Sequence, residues 1–198
     1  MGWAETLALG GAAHSLDAVA SSSRPSRSRR SRQVPDSGVI VRPAGLLDIE
    51  TIVRFRIALL KEHAANPIYG RLRADAAERA HRTTPMYLAS GREITWIAMD
   101  GKTPVGMLRC IEGRGSPLLR PARFGYIASV FVSKSHRRRG ILHQLVDAAT
   151  IWCRNRGITE MRLHSTPENE AANVAWERLG FGTVEYLRRR EILIAPGT

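Results

Sequence analysis

Cysteine is scarce in this chain. Only Cys110 and Cys153 occur, far apart in the sequence, which excludes a disulfide framework and a cysteine-built metal cluster. Each is expected as a small core residue. Aromatic residues make up 6%, too few for the stacking platforms of single-strand nucleic-acid binders, and no recognised nucleic-acid motif is present. No apolar run approaches the roughly 20 residues that span a bilayer as a helix. Acidic residues are few: 18 Asp and Glu stand against 30 Lys and Arg, a net charge of +12 with a pI near 11.0. Anionic partners are therefore favoured, whether nucleic acid, a membrane surface or phosphorylated ligands. Residues 1–35 hold five Arg and two acids. Most of the excess consequently lies in the rest of the chain.

With 198 residues, one domain is the natural expectation. Residues 1–37 are read as a Ser/Arg-rich extension outside it. The stretch SSSRPSRSRRSR at 21–32 has almost nothing apolar to bury against the entropy of ordering. A disordered extension is preferred. An organelle-targeting segment and a nucleic-acid-binding arm share its composition. The folded domain is placed at 38–198.

Residues 126–146, YIASVFVSKSHRRRGILHQLV, carry the clearest chemistry. Tyr126, Ile127, Val130, Phe131 and Val132 form a near-continuous apolar run, expected as a strand buried on both faces. A polar turn and three arginines follow. Then Ile141, Leu142, Leu145, Val146, Ala149, Trp152 and Cys153 fall on one helical stripe. A strand, a basic turn with glycine and a helix together make an anion site. The first-turn N–H groups and the helix dipole attract phosphate, Arg137, Arg138 and Arg139 add charge, and Gly140 lets a ligand approach the backbone.

The remaining segments are expected as follows. Residues 39–43 form a strand ended by Pro43, and residues 46–65 a helix broken at Asn66-Pro67. A second helix over 74–82 stops before Pro85. Residues 93–99 and 103–112 pair as a hairpin through Asp100-Gly101. After the long helix, Gly157 serves as C-cap, and residues 158–164 form a strand parallel to the first. A helix then starts near Thr166 and Pro167 and ends at Gly180. One or two strands finish the chain over 183–194.

Two of these segments resemble a known family. RRRGIL resembles the acyl-CoA pyrophosphate loop of the GNAT superfamily of N-acetyltransferases, Gln/Arg-x-x-Gly-x-Gly/Ala, with Arg137 first, Gly140 in the middle and Leu142 where the family prefers Gly or Ala. NEAANVAWERLGF resembles the GNAT helix pattern Asn-x-x-Ala-x-x-x-Tyr-Glu-x-x-Gly-Phe through Asn169, Ala172, Glu177, Gly180 and Phe181. Leu163-His164-Ser165 with a later Glu185 is similar to a variant seen in many bacterial members. The likeness covers about four-fifths of the chain, residues 38–194.

The resemblance implies an α/β fold with a mixed, mostly antiparallel central sheet, a parallel strand splay and about four flanking helices. It implies an enzyme that moves acetyl from acetyl-CoA directly to a primary amine, on a small molecule or a protein, with no covalent intermediate. Such an enzyme holds thioester and amine together, takes the amine's proton and polarises the carbonyl. The implied cofactor-binding set is Val130, Phe131, Val132, Arg137, Arg138, Arg139, Gly140, Ile141, Leu142, His143 and Asn169, with Asn173 also in reach. The backbone of Val130 and Val132 would bond the pantetheine arm. His63, Tyr69 and Arg71 lie in the loop region that would shape the acceptor pocket, although packing roles fit them as well. Trp176 stands where the family has its proton-donating Tyr, and an indole is no proton donor near neutral pH. Catalytic candidates are His164, Glu112 and Ser129, with Ser165 also polar and near a strand end. No metal is called for. A cytoplasmic monomer or homodimer is expected. A non-catalytic acyl-CoA-binding module of the same fold is the alternative, and a charge-driven nucleic-acid binder a third.

Overall fold

The computed structural model describes residues 38–192, so the expectations for residues 1–37 lie outside it. The described residues fall into two compact units, divided between His164 and Ser165. The first is built on a five-stranded sheet in the order β1-β2-β3-β4-β5. Its strands are β1 (Val39–Pro43), β2 (Glu93–Asp100), β3 (Thr103–Arg114), β4 (Arg123–Val132) and β5 (Met161–Leu163). The first four pair antiparallel, and β5 runs parallel to β4. Gly101, at φ +56, closes the β2–β3 hairpin, a conformation that glycine adopts without a Cβ penalty.

Alternation along β3 assigns the sheet faces. Met107 packs with Ile52 and Phe55 of α1 (Ile49–Glu62) and with Ile97 of β2, and Phe131 of β4 joins them. α2 (Ala76–Ala89) covers the same face. On the other face lies α3 (Ile141–Asn155), with Leu145 and Ala149 fully buried. Trp152 of α3 meets Trp96 of β2 edge-on at 6.4 Å. Gly125 brings β4 close to α3: a Cβ there would sit 2.5 Å from Cys153 Sγ and 3.4 Å from Cys110 Sγ. The two cysteines are therefore neighbours in space. Both are free and buried, and contact with Cys153 plus burial pushes the Cys110 thiol up.

Several sequence boundaries are corrected. β4 is half-buried from Ala128 to Val132, not buried on both faces. α2 runs through Pro85, where a stop was expected. Thr84 Oγ1 donates to the Ala80 carbonyl at 2.6 Å and Thr83 Oγ1 to that of Arg79 at 3.0 Å, while the carbonyl that Pro85 leaves without an N–H is that of His81. Buried Thr84 before the proline and Leu88 beyond it pack toward the core and carry the helix through. β5 is limited to three residues, with Ile158 buried before it and His164 beyond its end.

In the second unit, α4 is Glu170–Arg178. Its cap is Asn169, whose Oδ1 accepts from the Ala172 N–H at 3.2 Å, rather than Thr166. Residues 183–192 form no strand, and residues 193–194 lie outside the described range. Gly157 (φ +68) and Gly180 (φ +90) end α3 and α4 in the left-handed region, as helix C-terminal glycines do. Among the described residues, no helix is long and apolar enough to cross a membrane.

Candidate active site

The β4–β5 pairing covers only Gly125 to Ile127 against Met161 to Leu163. The β3–β4 register then slips, with Arg109 opposite Ser129 and Cys110 opposite Ile127. Ala128 is thus the extra residue of a bulge, which bends the strand and re-aims its side chains. Beyond it, β4 has no strand on its β5 side among the described residues. The Ser133 N–H bonds the Val105 carbonyl on the β3 side at 2.8 Å. By alternation, the backbone polar groups of Val130 and Val132 point the other way, toward the open edge. The Val132 carbonyl there accepts from Arg137 Nε at 2.9 Å. These groups can take the amides of an extended arm, in the manner of an added strand.

The open edge leads into the basic turn. Arg138 has φ +63 and Gly140 φ +77, while Arg137 between strand and turn is extended, at φ −67 and ψ 156. Left-handed residues within such a turn aim successive N–H groups inward, forming an anion nest. α3 begins there with no side-chain cap and no acid in its first turn, leaving its leading N–H groups for an external acceptor. Arg138 and Arg139 are exposed, and no carboxylate pairs with either among the described residues. Arg137 does something else. Its Nη2 pairs with Glu62 at 2.7 Å, so its charge is spent tying the turn to the end of α1. Ile141 is buried and anchors the helix, Leu142 is half-buried, and His143 pairs with Asp147 at 2.7 Å. The turn and open edge fit a ligand that joins a diphosphate to an extended amide arm.

On the α1–α2 face, Tyr126 Oη lies 2.7 Å from His164 Nδ1, with the rings edge-on at 5.7 Å. Burial, then the neighbouring Tyr69, pushes the Tyr126 hydroxyl up. It stays protonated, and it donates to His164 Nδ1 in the tautomer that carries the imidazole proton on Nε2. Tyr69 also meets His63 edge-on at 6.0 Å. The structure therefore sets His164 and Tyr69 beside Tyr126, with His63 next to Tyr69. Ser129 shares this face, opposite Arg109. Glu112 does not. It sits opposite Gly125, on the α3 face, and pairs with Arg123 at 3.3 Å and Arg156 at 3.7 Å. Ser165 is exposed in the second unit.

Asn173, also in the second unit, donates Nδ2 to the Thr166 and Pro167 carbonyls, and its buried Oδ1 has no hydrogen-bond partner. Trp176 packs edge-on against Phe181 at 5.4 Å. Tyr126 is the functional candidate that sequence reasoning passed over, reading it as a strand aromatic. Its signal was a hydroxyl-bearing ring in an otherwise apolar run.

The acetyltransferase (GNAT) family model matches residues 58–181. This chain belongs to the GNAT acetyltransferase family. N-alpha-acetyltransferase 30 of Schizosaccharomyces pombe is 34% identical over 99 residues, 49% of this chain and 63% of that protein. An aminoglycoside N(6')-acetyltransferase type 1 of Salmonella typhimurium is 35% identical over 60 residues, 30% of this chain and 41% of that one. The match thus spans less than two thirds of either relative's length. In fold, the GNAT chain is similar to the solved structure of AAC(6')-Iy in complex with a bisubstrate analogue, CoA-S-monomethyl-acetylneamine. The TM-score is 0.63 at 21% identity, over 79% of this chain and 99% of that one. The observed sheet, with its parallel β4–β5 pair and four helices, is the fold of this family.

Proposed function

We propose that the chain transfers acetyl from acetyl-CoA to a primary amine by direct attack. The observation that carries this reading is the uncapped start of α3 behind the left-handed basic turn, continuous with an unpaired stretch of β4. Family membership and the names of the relatives support it. Acetyl-CoA supplies an activated acyl thioester. The N–H groups over 138–143 hold its diphosphate, with Arg138 and Arg139 adding charge. The Val130 and Val132 backbone holds its pantetheine arm. Ile141 and Glu62-bound Arg137 keep the turn in shape.

Proton removal from the amine falls to Tyr126 and His164. Tyr126 Oη accepts the amine proton as its own hydroxyl proton passes to His164 Nδ1, leaving a neutral phenol and an imidazolium. The transfer needs only the 2.7 Å contact already present. Ser129 is placed to orient the amine or a water. Trp176 packs against Phe181 and takes no proton role. The reading carries with it a cytoplasmic monomer or homodimer, checked by cell fractionation and by light scattering on a sizing column.

The test is a screen of the pure protein with acetyl-CoA against small amines and peptide N-termini, read by thiol release. Amine-dependent release is expected. Tight acetyl-CoA binding with no release across the panel overturns transfer and leaves a binding module.

A further inference from the structure

Beside Tyr126 on the α1–α2 face lies a cationic cluster that the proton path does not use. Arg109 of β3 bonds Glu93 of β2 at 2.6 Å. Its guanidinium also lies over the Tyr87 ring of α2, 4.0 Å from the centroid. Arg56 of α1 approaches the same ring at 5.8 Å. The side chains of Arg109 and Glu93 are only 12% and 9% exposed. Arg56 Nη1 is buried with no hydrogen-bond partner. Burial, then the neighbouring Arg109 charge, pushes the Arg56 pKa down, and Tyr87 and Glu93 act the other way. Two guanidiniums, both charged, therefore flank the Tyr87 ring, and Glu93 is bonded to Arg109.

A guanidinium nitrogen buried without a partner is costly, and a protein keeps one where something supplies the missing acceptor. The register gives the place. Arg109 stands opposite Ser129, and Ile111, two residues along β3, stands opposite Tyr126. At about 3.3 Å per residue, the cluster begins roughly 7 Å from Tyr126 along the sheet.

We infer that Arg56, with Arg109 beside it, receives a carboxylate on the acceptor, so that the preferred substrate is a small amine bearing a carboxylate at its far end. This rests on the transfer reading and names its substrate class. The planar guanidinium fork matches a carboxylate in two parallel hydrogen bonds. The charge balance also works against a polycationic acceptor, which would bring further ammonium groups toward two arginines.

Three probes share one chain length: 5-aminopentanoate, pentylamine and 1,5-diaminopentane. Each is tested for binding to the CoA-loaded protein by calorimetry, and for turnover with acetyl-CoA by thiol release. The expected order is aminopentanoate first, by about ten-fold or more, the worth of a charge-assisted hydrogen bond. Arg56→Met leaves the Arg109–Glu93 pair intact. It is expected to raise KM for aminopentanoate about ten-fold while kcat and the pentylamine values hold, and Arg56→Lys is expected to restore part of the loss.

Equal binding of the three probes, or an Arg56→Met protein that keeps the carboxylate preference, overturns the inference and leaves transfer standing. A carboxylate preference in binding without thiol release from any probe supports the inference and counts against transfer. If Arg56→Met fails to fold, the wild-type ranking of the three probes decides.

Discussion

At the scale of single residues, the proposed proton path turns on one hydroxyl. Tyr126→Phe keeps the ring and its burial but removes the group that bonds His164. Its kcat is expected to fall about 100-fold with KM for acetyl-CoA unchanged. His164→Ala should cost a similar factor. Because the two act on one proton, the double variant should lose little more than either single one. Full kcat in Tyr126→Phe, from steady-state thiol release, would remove Tyr126 from the chemistry. Trp176→Phe retains the edge contact with Phe181 and is expected to stay within about two-fold of the wild-type rate, since an indole carries no proton to lose.

The sequence exposed His164 as a candidate, because histidine's chemistry travels with its residue type. It did not expose Tyr126, whose partner is 38 positions away and becomes a neighbour only through the parallel β4–β5 pairing. Glu112 was attractive by type and strand position, yet its register with Gly125 puts it among arginines on the opposite face. Arg56 had a readable sign: a cation three and four residues after Val53 and Ile52, inside the buried stripe of α1.

At the scale of elements, close approach of β4 to α3 depends on Gly125. Gly125→Ala places a methyl 2.5 Å from Cys153 Sγ, tighter than packed atoms allow. It should destabilise the protein by about 1–3 kcal/mol in denaturant unfolding, and no loss would contradict the packing described. At the start of α2, hydrogen bonds from Arg73 and then Arg79 hold the Asp75 carboxyl down at about 2. Its folded pKa lies below the ordinary aspartate value of about 4, so its stabilising effect is complete above that value. The effect fades as pH falls through the folded value. An NMR titration of the Asp75 carboxyl should find its midpoint near 2, and a midpoint near the ordinary value would contradict the two arginine bonds.

Element types were readable because periods of two and of 3.6 leave marks in the order of apolar residues. Ends were less so. Pro85 looked like a stop because propensity sees the missing N–H and not the packing of Thr84 and Leu88 on either side of it. The apolar residues of 183–192, among them Val184, Tyr186 and Leu187, look like a strand but are exposed and unpaired. Alternation states a capacity for pairing, and tertiary contacts decide whether it is used.

At the scale of the molecule, a net charge of +12 favours an anionic ligand by long-range attraction as well as by contact. Affinity for acetyl-CoA should therefore weaken as salt rises from about 50 to 500 mM, where screening shortens from over 10 Å to a few ångströms. An affinity indifferent to salt would assign the binding to apolar contacts instead. As far as Gly180, the order of strands and helices, and the place of the basic turn between β4 and α3, were legible from the chain. The bulge at Ala128 was not. No residue marks it, yet it is what leaves the edge of β4 open.

The most direct test is to titrate ¹⁵N-labelled protein with acetyl-CoA and follow the backbone amides. The largest shifts are expected at 138–143, together with Val130 and Val132, and Gly140→Val, forced to hold φ +77 with a branched side chain, should lose them. Saturable binding that leaves those amides unmoved would show that the coenzyme is held elsewhere, and the account would fail.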